Sequence, residues 1–137
     1  MRIRYSNRMN GKVLYIEDES FFGSIISKKL DENEYVVDVA PTGAEGVKLA
    51  KENEYDLILL DLILPEMSGF EVLQQLKIDP QTTSVPVVIL SNLSSDADKT
   101  KAKELGAHSF YVKINAMPSE ILALVKRICG EKNKSGE

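Results

Sequence analysis

The sequence predicts an α/β domain built on a five-stranded parallel sheet with helices on both faces. Three observations predict it. Strand-like and helix-like patterns alternate along the whole 137-residue chain. Two of the strand candidates, Leu57 to Leu60 (LILL) and Val85 to Leu90 (VPVVIL), are near-continuous apolar runs, which suit strands buried on both faces. Every connection between successive strands is long enough for a helix, as right-handed crossovers between parallel strands require.

Residues 1 to 11 show no periodicity and read as an N-terminal extension. Lys12 to Ile16 (KVLYI) is β-prone and apolar, a first strand, and it runs straight into Glu17, Asp18 and Glu19. Phe22, Ile25, Ile26 and Leu30 then share one face at helical spacing, with Phe21 near the edge of that face. Tyr35 to Val39 is the second strand, and Thr42 is placed to cap the next helix. That helix uses Ala44, Val47, Leu49 and Ala50 and ends near Asn53. The LILL strand ends at Asp61, and Pro65 and Gly69 mark a turn. A third helix follows through Phe70, Leu73 and Leu76 and stops before Pro80. The VPVVIL strand ends in Ser91 and Asn92. Ser94, Ser95 and Asp96 offer caps for a polar fourth helix that ends at Gly106. His108 to Val112 is the fifth strand, with Lys113 at its end. Pro118 opens the last helix, whose apolar stripe is Ile121, Leu122, Leu124, Val125 and Ile128. The domain is expected to occupy 12 to 130, and 131 to 137 reads as a polar tail.

Composition narrows the function classes. Hydrophobic residues make up 43% and charged residues 28%, an ordinary globular balance. The net charge of -4 argues against a nucleic-acid surface. No apolar stretch approaches the ~20 residues of a membrane span. One cysteine, Cys129, excludes an internal disulfide and a cysteine metal cluster, and it falls in a helical pattern as a small apolar contact. A reducing cytoplasm fits these features.

Parallel strands carry their carboxyl ends on one edge of the sheet, where open α/β sheets bind ligands. Here that edge receives Glu17 and Asp18, then Asp61, then Ser91, then Lys113. Three clustered carboxylates repel, and without a cation at least one pKa is expected to rise. A hard divalent ion such as Mg²⁺ resolves this with two carboxylates, a backbone carbonyl and retained waters. Phosphoryl transfer depends on positioning and charge neutralisation, which Mg²⁺ and Lys113 would supply, with Asp61 as nucleophile and Ser91 as a hydrogen-bond donor. Each residue also has a plainer reading: carboxylates favoured in a first helical turn, Asp61 as a turn cap, Ser91 as a loop residue, Lys113 as a solvated charge.

With these residues in place, the chain resembles the receiver (phosphoacceptor) domain of bacterial two-component response regulators, the CheY-like family. The matching segments are VLYIEDES (13 to 20), DLILLDLILPEMSGFEVL (56 to 73), VPVVILSN (85 to 92) and GAHSFYVK (106 to 113). The resemblance implies a flavodoxin-like fold with strand order 2-1-3-4-5. It implies that a histidine kinase or a histidine phosphotransfer protein delivers a phosphoryl group to Asp61. By the same analogy Asp18, Asp61 and the Ile63 carbonyl hold Mg²⁺, and Glu17 acts through a metal-bound water. Ser91 and Phe110 match the switch positions, and Phe21 either docks the phosphodonor protein or packs partly into the core. Two positions depart from the family pattern. Ile114 stands where proline usually follows the lysine, in a loop (INAMPSE) one residue longer than the norm, so a trans peptide bond and a reshaped loop are expected. Asn92 is larger than the residue usual after the switch hydroxyl and is expected to restrict phosphodonor access.

Other functions compete. A phosphatase with an aspartate nucleophile would need an acid two positions on, where Ile63 stands. A flavin-binding module lacks a phosphate-cradling glycine loop. A receiver-like interaction domain that no longer uses phosphate is the main alternative, kept open by Ile114. The domain reads as a switch more than an enzyme. The chain either acts alone by binding a downstream partner or belongs to a larger regulator or hybrid kinase.

Overall fold

Strand ends in step with one another decide what this protein can assemble, and the fold supplies them. The computed structural model describes residues 10–135, with side chains of 10–130. The residue 1–9 part of the predicted extension and residues 136–137 lie outside the described residues. Five parallel strands form one sheet in the order β2-β1-β3-β4-β5. They are β1 (Gly11–Ile16), β2 (Tyr35–Ala40), β3 (Leu57–Leu60), β4 (Val87–Ser91) and β5 (Ser109–Val112). Between and after them run α1 (Ser20–Asp31), α2 (Gly43–Glu52), α3 (Gly69–Ile78), α4 (Asp96–Glu104) and α5 (Pro118–Ser135).

Side-chain alternation sorts each strand between two cores. Leu57, Leu59, Val88 and Leu90 join Ile26, Leu30, Ile121 and Val125 beneath α1 and α5. Ile58, Leu60, Val87 and Ile89 join Val47, Val72, Leu73 and Leu76 on the opposite face. This double coverage is why LILL and the VVIL part of β4 contain no polar residue.

The helix starts carry the caps predicted at Thr42, Ser95 and Pro118, and one at Ser68 that the sequence reading did not name. Thr42 Oγ1 accepts from the Glu45 N–H at 3.1 Å. Ser68 with Glu71, and Ser95 with Asp98, form reciprocal capping boxes. Pro118 is the first residue of α5.

Several boundaries differ from the sequence reading. β1 begins at Gly11, inside the predicted extension, and Asn10 already hydrogen-bonds the Glu34 carbonyl. β4 begins two residues later than predicted, because Val85 and Pro86 lead into it. The Pro86 carbonyl accepts from Ile58 N–H at 2.9 Å. Ala44 and Ile25 are exposed rather than core. In α2 the buried face runs through Gly43, Gly46, Val47 and Ala50. The helix approaches β1 so closely that a Cβ on Gly46 would overlap the Ile16 side chain. The predicted polar tail is mostly helix, since α5 continues to Ser135 through good helix formers such as Glu131 and Lys132. The peptide bond before Ile114 is trans, as expected, and the reshaped loop is a 3-10 turn over Lys113–Asn115.

Candidate functional site

Register places the site. Ile16 pairs with Leu60, so Glu17 and Asp61 leave adjacent strands side by side. Leu60 pairs with Ile89, and Ser91 with Val112, which brings Ser91 and then Lys113 to the same edge. Asp61 itself is anchored by its N–H to the Ile16 carbonyl at 3.0 Å.

The following loop turns back sharply. Gly69 N–H donates to the Leu62 carbonyl at 2.9 Å. A Cβ on Gly69 would overlap the Asp61 carbonyl oxygen and the Leu62 Cα, so the turn that presents Ile63 needs glycine there.

Asp61 is buried, and both its carboxylate oxygens are held. Oδ1 accepts from Ser91 Oγ at 2.6 Å and from Ile63 N–H at 3.0 Å. Oδ2 accepts from Lys113 Nζ at 2.7 Å. Lys113 spends its other two donors on Glu17 at 2.6 Å and Glu19 at 3.1 Å. Its ammonium also stands 5.1 Å from the centre of the Phe22 ring. Burial pulls the Lys113 pKa down. Hydrogen bonds to Asp61 and Glu17 outweigh that and hold it above its ordinary value.

A cavity of about 200 Å³ opens over Asp61, lined by Asp18, Glu19, Asp61, Ile63, Asn92 and Lys113. Asp18, Asp61, Ile63 and Lys113 therefore meet where the sequence reading brought them. Ser91 lies beneath, fully buried, bonded to the Asp61 carboxylate.

Glu17 does not line this cavity. Tyr15 and Glu17 alternate onto the α1 side of the sheet, and the Tyr15 hydroxyl donates to Glu17 Oε1 at 2.8 Å. Its Oε2 has no hydrogen-bond partner among the described residues and abuts Gly23, where a Cβ would lie 2.8 Å away. Burial raises the Glu17 pKa, against the pull of Lys113 and Tyr15. A carboxyl pKa does rise, as expected, but desolvation is the main cause and repulsion from Asp61 a minor one.

Phe110 is half-buried against the core beneath α2, α3 and α4 and sits beside a groove with Lys99, Lys103 and His108. Phe21 is 77% exposed, which removes the core-packing reading of this residue. The sequence reading missed Glu19 as a Lys113 partner, Tyr15 as the Glu17 donor and the Phe22 ring. A buried tyrosine two residues before a buried glutamate on one strand was a readable signal, because a buried hydroxyl needs a partner.

Among the described residues, no three carboxylate, histidine or cysteine ligands gather around one point. The oxygen donors lining the cavity are the carboxylates of Asp18, Asp61 and Glu19, the last paired to Lys113, with the Asn92 amide and the Ile63 segment beside them. That hard-oxygen set fits an ion such as Mg²⁺, which takes one or two carboxylates and keeps several waters.

Comparison with known proteins identifies the family of this domain. A sequence model of the response regulator receiver domain matches residues 13–126. The transcriptional regulatory protein CusR of Escherichia coli K12 is 36% identical over 117 residues, covering 85% of this chain and 50% of that protein. The chain thus spans about half the length of the curated relatives it matches. Among solved structures, the receiver domain of the Francisella response regulator 1452 superposes with a TM-score of 0.81 at 29% identity, covering 89% of this chain and 98% of that one. The chemotaxis protein CheY4 of Vibrio cholerae does so with a TM-score of 0.79 at 28% identity, covering 85% and 97%. No helix among the described residues is long and apolar enough to cross a membrane.

Proposed function

Because this chain belongs to the response regulator receiver domain family, which works in two-component phosphorelay signalling, we propose that Asp61 is its phosphoacceptor. The observation that carries this is the Asp61 carboxylate, buried at the floor of a cavity and gripped at once by Ser91, Lys113 and the Ile63 amide. A carboxylate fixed in this way is oriented for attack before the donor arrives.

An Asp61 carboxylate oxygen forms the new bond to phosphorus. The bond from phosphorus to the donor histidine nitrogen breaks, and that nitrogen keeps the electron pair. Lys113 neutralises charge on the transferred group, and the Ser91 hydroxyl turns its hydrogen bond from Asp61 to a phosphoryl oxygen. Asp18, Asp61 and the Ile63 carbonyl would hold Mg²⁺. Glu17 lies off the cavity, held by Tyr15 and Lys113, and would reach the bound ion only through a water. The bound ion supplies further neutralisation of the phosphoryl oxygens.

Loss of the Ser91 and Lys113 contacts to Asp61 repositions the ends of β4 and β5, next to half-buried Phe110. The surface formed by α4, β5 and α5 changes as a result, and a downstream protein or output domain reads it. The donor is a histidine kinase or histidine phosphotransfer protein in the cytoplasm, and exposed Phe21 is its docking contact. The chain is a switch more than an enzyme, and it contacts neither nucleic acid nor membrane.

An amide NMR titration with Mg²⁺ and then beryllofluoride, a mimic of aspartyl phosphate, tests the reading. Saturable shifts at Asp18, Asp61, Ser91, Phe110 and Lys113 are expected, with the beryllofluoride response lost in Asp61→Asn. An unchanged wild-type spectrum would sink it in favour of a phosphate-independent interaction domain. For docking, Phe21→Ala should slow transfer from the protein donor while leaving uptake from phosphoramidate unchanged. Equal transfer rates would remove Phe21 from the interface.

A further inference from the structure

The two positions that depart from the family pattern touch each other. The Ile114 N–H donates to Asn92 Oδ1 at 2.8 Å. Proline at 114 would have no N–H and could not make this bond. Asn92 directly follows Ser91 and Ile114 directly follows Lys113, so the bond joins the two segments that carry the groups gripping Asp61. The Leu93 N–H also donates to Ser91 Oγ, at 3.2 Å. The Ser91 hydroxyl, its own loop and the Lys113 turn are thus linked in one hydrogen-bonded unit. Core packing does not account for the link, since Asn92 is exposed and Ile114 is 80% exposed. Asn92 also lines the cavity over Asp61.

We infer that Asn92 is a positioning residue whose hydrogen bond to Ile114 bars the Ser91 and Lys113 loops from parting and so sets the lifetime of the phosphoryl group on Asp61. The inference rests on Asp61 being the phosphoacceptor. Hydrolysis needs a water to reach phosphorus, and Asn92 and Lys113 both line the cavity over Asp61 through which it would come. A bond between their segments holds that opening and slows the water's entry. Where the family pattern has proline after the lysine, this chain has an amide N–H held by a side chain from the neighbouring strand end.

The test is a double-mutant cycle. Asn92→Leu keeps the side-chain size and removes the acceptor, Ile114→Pro removes the donor, and the double variant carries both. Each protein is loaded with phosphoramidate and Mg²⁺, and the decay of its phosphorylated form is followed, with amide spectra to verify folding. Asn92→Leu should shorten the lifetime about 3- to 10-fold, the scale of one net hydrogen bond, and should remove hydrogen-exchange protection at the Ile114 amide. In the Ile114→Pro background the same substitution should change the lifetime by less than about twofold, because no bond is left to lose. An equal effect of Asn92→Leu in both backgrounds would show that side-chain size, not the bond, is at work and would overturn the inference. So would an unchanged lifetime in the single variant. Wild-type protein that takes up no phosphoryl group would overturn the phosphoacceptor reading, and this one with it.

Discussion

β3 and β5 deliver opposite charges to the same cavity, but they are held differently. Leu57 to Leu60 on β3 are completely buried between the two cores. On β5 Ser109, Phe110, Tyr111 and Val112 are all half-buried, and α4 beside it buries only Ala102. Asp61 therefore stands at the end of a completely buried strand, and Lys113 stands at the margin of the sheet. A nucleophile benefits from a fixed position, while a signal needs a region that yields. The ion pairs from Lys113 to Asp61 and Glu17 span the two, so chemistry at the centre is felt at the edge.

That comparison can be broken or sharpened by experiment. The largest expected effect is functional. Asp61→Asn should abolish phosphoryl uptake while the amide spectrum keeps the folded pattern, and residual uptake would move the acceptor elsewhere. On the stability side, Leu59→Ala at the centre of β3 should cost about 2–5 kcal/mol in urea unfolding, through lost burial and the cavity left behind. A loss under about 1 kcal/mol would mean the centre is less constrained than its burial implies.

Ser95→Ala removes the α4 capping box and should cost only about 1 kcal/mol. Hydrogen exchange should quicken in α4 while β3 amides stay protected. Faster exchange in β3 would couple the two regions more tightly than proposed.

The smallest effect is a slope. Glu17 has a raised folded-state pKa, so its folded form holds the proton longer than the unfolded form does. Its contribution to stability is present at low pH and is lost as pH rises from the ordinary carboxylate value through the raised one. Metal-free wild type should show this decline in urea unfolding across the weakly acid range, and Glu17→Gln should lack it. Parallel curves for the two proteins would assign the slope to another group.

Much of this was legible in the linear chain, for definable reasons. LILL and VPVVIL announce strands covered twice, and Pro118, Thr42 and Ser95 announce helix starts through local chemistry. Where the pattern was ambiguous, packing decided. Ala44 and Gly46 are both small, and the close approach of α2 to Ile16 is what buries the second. Phe21 and Phe22 are adjacent in sequence. The turn of α1 exposes one and sets the other beside the Lys113 ammonium.

The sequence by itself determined which groups reach the carboxyl edge: a parallel sheet follows from alternation, strand ends follow from the apolar runs, and the strand order followed from the family resemblance. Only the tertiary structure decided how those groups divide. The packing of the strand ends turned Glu17 beneath α1 with Tyr15, left Asp18 facing the cavity, and recruited Glu19 as a third partner for Lys113. It also joined Asn92 to Ile114 across 22 residues of sequence. A local pattern fixes which face a residue points to. Which partner it meets there depends on the register of strands far apart in the chain, and no local pattern carries that information.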